Sequence, residues 1–270
     1  MNTDLISTHL NTDFSNVFER VRFVLVAPRM AANVGAAARA IKTMGFSRLV
    51  VVSEEPFKLN QADAIALSSG AQDILAGAQR CTTLDEALTG CTSVVALTAR
   101  PREWSGLVVN LPEHAAASVA PIAAGEEIAF VFGNERFGLS NEDILRCGNI
   151  CTIAANPSYS SLNLSQAVQV CAYALRMELL KVDAGTNTTA AIEPEIAKET
   201  PATQDQIQAS LAHWLAVLEQ IGYYKPAEPR RLKQRLASVF ARAQLTTADI
   251  DMLRGIAAAV EKTHPLKTKL

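Results

Sequence analysis

The stretch IAFVFGNERFGLSNEDILRCG, residues 128–148, contains one complete structural unit. Ile128 to Phe132 form an apolar run without a polar interruption, as a strand buried on both faces requires. A polar turn flanked by Gly133 and Gly138 follows, presenting Asn134, Glu135 and Arg136. Glycine allows the unusual dihedrals and close backbone approach that such a turn needs. LSNEDILRCG then reads as a helix, with Ser140 or Asn141 as N-cap and acids in its first turn. A buried strand running through a tight turn into a helix belongs to an α/β fold. Turns at strand carboxyl ends are where open α/β sheets bind ligands.

The same pattern recurs on both sides. RFVLVA (22–27), LVVV (49–52), SVVAL (93–97) and NICTIA (149–154) read as buried strands. NVGAAARAIKTMG (33–45, with Gly45 as C-cap), ADAIALSSGA (62–71) and TLDEALTG (83–90) read as helices between them. This alternation predicts an α/β domain whose parallel sheet is covered by helices. A long helix starts near Asn163. Residues 183–204 lack an apolar period and read as a linker. Beyond it, helical spacing recurs in segments at about 205–222, 229–243 and 247–262. The expected organisation is a tail (1–20), an α/β domain (21–182), a linker (183–204) and a small all-helical C-terminal extension (205–270).

The 270 residues are 49% hydrophobic and 19% charged, enough for a sizeable core and unlike a disordered chain. No basic segment followed by an apolar stretch marks a signal peptide, and no apolar run reaches the ~18 residues of a membrane span. Five cysteines without C-x-x-C spacing point to reduced core thiols in the cytoplasm. Cys147 and Cys151 lack the neighbours that would complete a metal site, so no metal is expected. Dinucleotide and P-loop fingerprints, G-x-S-x-G and H-E-x-x-H are all absent, which weakens oxidoreductase, NTPase, hydrolase and metalloenzyme readings.

Three segments carry polar residues that packing alone does not explain. PRMAANVGAAARAIKTMG (28–45) follows the first strand, with a turn leading to Asn33 and Gly35 and then a helix carrying Arg39 and Lys42. The second is the turn at 133–138. The third, IAANPSYSSLNLSQAV (153–168), places Ser160, Ser161 and Asn163 around Leu162 at the start of the long helix, where Ser161 or Asn163 is a candidate N-cap. Charge adds a fourth signal. Residues 20–48 hold six cations and no acid, and residues 225–242 hold six cations against one acid, although the net charge is −2. Charge runs are usually solvated faces, but two such patches fit phosphate contacts, with Arg29, Lys42, Arg230, Arg231, Lys233 and Arg235 as the candidate phosphate-binding residues.

The motifs N-x-G-x-x-x-R (Asn33, Gly35, Arg39), F-G-x-E-R-x-G-L (Phe132 to Leu139) and N-P-x-x-x-S-L-N (Asn156 to Asn163) together resemble the SPOUT superfamily, and within it the TrmH group of RNA ribose 2'-O-methyltransferases. LEQIGYY, RLKQRLASVFARA and MLRGIAAAVEK are similar to the C-terminal extension of one tRNA-modifying branch of that group. The resemblance implies a deep trefoil knot in the C-terminal part of the α/β domain and a homodimer with its sites near the subunit interface. It also implies S-adenosylmethionine as cofactor, held by Leu97, Thr98, Ala99, Gly133, Asn134, Glu135, Arg136, Ile153, Ser160, Ser161 and Leu162. By the same resemblance Arg39 stands at the acceptor hydroxyl, with Asn33, Glu135, Ser161 and Asn163 around it, and Glu135 has a bracing role as its alternative. The implied activity is methylation of a ribose 2'-hydroxyl, in tRNA at the start of the anticodon loop. The same chemistry on ribosomal or another RNA, and a non-catalytic RNA-binding module, are the alternatives.

Overall fold

The computed structural model describes residues 14–54, 61–99, 108–183, 200–226 and 231–263. Its centre is a seven-stranded parallel sheet of β1 (Val21–Val26), β2 (Arg48–Val52), β3 (Gln79–Cys81), β4 (Ser93–Leu97), β5 (Val108–Asn110), β6 (Ile128–Phe132) and β7 (Asn149–Thr152). The strands lie in the order β3-β2-β1-β6-β4-β7-β5. The five strands legible as apolar runs form the interior of the sheet. The edge strands β3 and β5, three residues each, carry no such run.

Each strand alternates its side chains between two cores. On one face Phe23, Leu25, Phe130 and Phe132 pack against α1 (Ala31–Thr43), α5 (Leu111–Ala123) and α7 (Leu164–Asp183). On the other, Val24, Val50, Ala129 and Val131 pack against α4 (Leu84–Leu88) and α6 (Asn141–Arg146). The short α2 (Ala62–Ser68) and α3 (Gln72–Ala76) flank α1. Ser140 caps α6 in a capping box with Asp143. Gly45 follows α1 at φ +83°, a dihedral few other residues adopt. Residues 14–20, read from sequence as tail, form a 3-10 turn that buries Val17 and sets Phe18 edge-on to Phe46.

Register positions the site. Leu25 pairs with Phe132, Phe132 with Leu97, and Leu97 with Cys151. Strands β1, β6, β4 and β7 therefore end in one row, and the segments that leave them open onto a single edge.

Beyond the linker, residues 184–199 of which lie outside the described residues, come α8 (Gln204–Gln220), α9 (Leu232–Arg242) and α10 (Thr247–Thr263). Leu211, Ala237 and Phe240 form their core, and Leu145 of α6 joins it. Gln204 N–H donates to Cys91 O at 2.7 Å and Gly90 N–H to Asp205 Oδ1 at 3.1 Å, fixing the start of α8 to the α/β domain. All five cysteines are free and buried, and burial pushes the thiols of Cys91 and Cys151 up to about 11 and about 12. No described helix is long and apolar enough to cross a membrane.

Candidate active site

Four segments meet at the carboxyl edge of the sheet around a pocket of about 180 Å³. The eleven residues from Leu97 to Ala99, Gly133 to Arg136, Ile153, and Ser160 to Leu162 all line it. Phe132, Phe137, Gly138, Leu139, Leu164 and Ala167 complete the wall. The lining mixes apolar side chains, among them Leu97, Phe132, Ile153 and Leu162, with the polar Thr98, Asn134 and Ser160 and the charged Glu135 and Arg136. Thr98 N–H donates to Cys151 O at 3.0 Å, extending the β4–β7 ladder one residue into the pocket wall.

The turn after β6 is closed by its own asparagine. Asn134 Oδ1 accepts from the N–H groups of Arg136 and Phe137 at 3.0 and 2.8 Å, while Gly138 N–H returns to Asn134 O at 2.9 Å. A Cβ on Gly133 would lie 2.0 Å from the Gly138 carbonyl carbon, so only glycine lets this turn fold back on itself.

Glu135 leaves that turn and meets the start of α1. Its carboxylate accepts from Arg29 N–H at 2.9 Å, Met30 N–H at 3.2 Å and Asn33 Nδ2 at 2.8 Å. Burial works to raise its pKa, but the Asn33 amide and the backbone N–H groups outweigh it and hold the carboxyl below the usual carboxylate range. Glu135 thus serves as the cap that α1 lacks from its own N-cap residue, Met30. Asn163 Nδ2 donates to Asn33 Oδ1 at 3.0 Å, and Asn163 Oδ1 caps α7 by accepting from Ser165 N–H at 2.9 Å. Because a carboxylate only accepts, the orientation of each amide in this relay is fixed. Asn33, Glu135 and Asn163 come together: Glu135 is hydrogen-bonded to the residues leading into α1, and Asn163 is the cap of α7.

Other site expectations land elsewhere. Asn33 and Gly35 lie inside α1, which starts at Ala31, two residues ahead of the helix read from the sequence. Gly35 faces α2: an added Cβ would fall 2.0 Å from Ala64 O, so the close approach there is helix to helix. Arg39 is exposed on α1, outside the pocket, with no side-chain partner among the described residues. Ser161 is exposed at the pocket rim.

The basic run of residues 20–48 does not form one face. Arg22 is buried, donates to Ala87 O and Thr89 O at 3.1 and 2.8 Å, and pairs with Glu127; Arg48 also pairs with Glu127, at 2.9 Å. These groups sit at the amino edge of the sheet, opposite the pocket. Lys42 is held by Asp73 at 2.8 Å and by Gly70 O at 3.0 Å, so its charge is answered within the chain. Arg29 alone of the six stands by the pocket, its N–H bound to Glu135. On the extension, Arg231, Lys233 and Arg235 are exposed, and Arg230 lies outside the described residues. Among the described residues no cluster of His, Cys, Asp and Glu could hold a metal ion.

A parallel sheet whose carboxyl-edge pocket is lined by two of these motifs and tied to the third through Glu135 defines a methyltransferase of one kind: the chain belongs to the SpoU methylase family, whose profile, described as the SpoU rRNA Methylase family, matches residues 20–173. Residues 205–269 match a second profile, the C-terminal domain of the tRNA methyltransferase TrmJ. The chain is 37% identical over 247 residues to the tRNA (cytidine/uridine/adenosine-2'-O-)-methyltransferase TrmJ of Pseudomonas aeruginosa, covering 91% of this chain and 95% of that protein. It is 38% identical to the tRNA (cytidine/uridine-2'-O-)-methyltransferase TrmJ of Salmonella typhimurium, covering 92% and 99%. The crystal structure of TrmJ from Z. mobilis aligns with a TM-score of 0.74 at 28% identity, covering 89% of this chain and 98% of that one.

Proposed function

We propose that the protein is an S-adenosylmethionine-dependent tRNA ribose 2'-O-methyltransferase acting at the start of the anticodon loop. The observation that carries this reading is the pocket at 97–99, 133–139, 153 and 160–162, locked to α1 by the Asn33–Glu135–Asn163 relay, in a chain similar to TrmJ along nine-tenths of its length.

The residues present fit the cofactor. The apolar part of the lining, with Leu97, Ile153 and Leu162, suits an adenine ring, and the turn that Gly133 closes brings main-chain groups to the pocket surface. Recognition by backbone also accounts for the missing side-chain fingerprint. When bound, S-adenosylmethionine supplies a methyl group on a sulfonium whose thioether leaves neutral, so no acid is needed. The chain's task is to orient the ribose hydroxyl and ease loss of its proton. A guanidinium holds its proton too tightly for ordinary base work. Arg39 acts as an electrostatic and orienting group for the developing alkoxide or a neighbouring phosphate. Arg39→Ala is expected to abolish methylation while leaving cofactor affinity nearly intact; normal turnover in that variant defeats the assignment.

Three further parts belong to this reading. The first is the trefoil knot. It is supported by β6 returning between β1 and β4, by β7 between β4 and β5, and by α7 packing on α1 and α5. The second is a homodimer through α7, supported by the exposed stripe of Val170, Tyr173, Met177 and Leu180, and by Arg39 standing outside the pocket of its own chain. The third is an RNA track along α9. Its basic start, Arg231 and Lys233, lines a cleft with Asn141 and Glu142 at the start of α6, next to the pocket wall at Leu139, while Ala241 approaches Gly148. The cations therefore sit at the same edge as the pocket.

The deciding experiment is mass-spectrometric mapping of methylated nucleosides in tRNA from cells lacking this protein. Loss of one 2'-O-methyl group at the start of the anticodon loop is expected. An unchanged tRNA profile defeats the reading, and loss of a methyl from ribosomal RNA instead moves the substrate.

A further inference from the structure

Phe137 is 67% exposed, yet it stands on a tightly constrained turn. Its own N–H is bound by Asn134 Oδ1, and the residues on either side are tied to the same asparagine. Backbone hydrogen bonds, not packing, therefore fix where the ring projects. The neighbouring residue of the turn shows the contrast: Leu139 is 3% exposed. The Arg136 guanidinium lies 4.9 Å from the Phe137 ring centroid, and both side chains line the pocket. A phenylalanine held in water forgoes the stabilisation that burial would give, and nothing in the fold is gained in return.

We propose that Phe137, steadied by Arg136, is a stacking platform for an unpaired nucleobase of the RNA next to the acceptor ribose. This rests on the methyltransferase reading above and adds a substrate-positioning residue to it. A single-stranded nucleotide offers a π-face and a phosphate, and an aromatic ring beside a guanidinium answers both. Stacking needs an exposed ring whose direction is already set, which the closed turn supplies. A subunit interface is the competing occupant. The core of an interface is poor in charge, and the apolar stripe of that character lies on α7, whereas Phe137 has a cation against it.

The test uses the full chain and tRNA carrying single abasic substitutions scanned through the anticodon loop, with binding measured at equilibrium. Phe137→Ala is expected to weaken tRNA binding about tenfold or more, with the kinetic loss falling mainly on KM. One abasic position should weaken the wild type by a similar factor and the Phe137→Ala protein no further. Phe137→Trp should restore binding, while Phe137→Leu should not. Four results overturn the platform: Phe137→Ala binding tRNA normally, losses that add at every abasic position, an equal fall in S-adenosylmethionine affinity by calorimetry, or dissociation into monomers by sedimentation. Tight binding that depends on Phe137 without methyl transfer to tRNA defeats the enzymatic reading alone. Failure of the wild type to bind tRNA overturns both.

Discussion

Glu135 accepts three hydrogen bonds, from two backbone N–H groups at the start of α1 and from the amide of Asn33, which is 7% exposed. Truncation removes the acceptor of all three and leaves the buried Asn33 amide without it. Glu135→Ala is expected to cost about 1–3 kcal/mol, read as a fall of several degrees in Tm. The sign with pH follows from the lowered carboxyl. A carboxyl held below its unfolded value stabilises the fold at pH above the ordinary carboxylate range, and that contribution is lost as pH falls through the folded pKa. The Tm gap between wild type and Glu135→Gln should be constant above about pH 6 and shrink as acid is added below the ordinary carboxylate range. A gap that widens in acid contradicts this role. Gly133 gives a second residue-level outcome. Its Cβ would meet the Gly138–Leu139 peptide, so Gly133→Ala should open the turn and weaken S-adenosylmethionine binding about tenfold or more, measured by calorimetry.

At the scale of elements, α1 meets the Glu135 carboxylate and α2 through two poor helix formers, Asn33 and Gly35. Gly35 in a helix interior costs about 0.5–1 kcal/mol relative to alanine, yet here the alanine methyl would lie 2.0 Å from Ala64 O. Gly35→Ala should therefore destabilise the protein, by about 1–3 kcal/mol in chemical denaturation, where propensity alone predicts a gain. The elements differ in how plainly they can be read in the sequence. IAFVF has no polar residue and SVVAL only Ser93 at its start, and burial on both faces leaves them no other place. The edge strands QRC and VVN carry no such mark and become strands only because β2 and β7 offer them partners. The helix LPEHAAASVAPIA is punctuated by two prolines; Pro112 sits in the first turn, where its missing N–H has no partner to lose. The N-cap of α6 was legible as Ser140 or Asn141 because a cap needs only near neighbours; the structure selects Ser140 and adds Asp143 in a capping box.

For the whole molecule, charge and assembly decide the outcome. If Lys233 and Arg235 bind phosphate, replacing both with alanine should weaken tRNA binding at every site and lower the slope of log affinity against log salt by about two. Replacing Lys42, whose ammonium Asp73 already holds, should leave that slope nearly unchanged. The α7 stripe gives the matching prediction for assembly. Tyr173→Asp with Met177→Asp places two charges in an apolar face, and sedimentation should show a monomer that no longer methylates RNA. Retained dimers would remove α7 from the interface.

The sequence by itself determined what nearest neighbours control: buried strands, caps and turns, the helical character of the extension, and the residue types of three polar segments. Eleven of the seventeen residues that line the pocket were nameable there, through motif likeness and not through periodicity. The tertiary structure alone decided where those residues point. It split a six-cation run, sending Arg22 and Arg48 to Glu127 at the opposite edge of the sheet, tying Lys42 to Asp73, and leaving Arg29 at the site. It turned Glu135 into the cap of a helix more than a hundred residues earlier in the chain. Strand order and register make such pairings, and both depend on contacts between distant segments whose energies no local window of sequence contains.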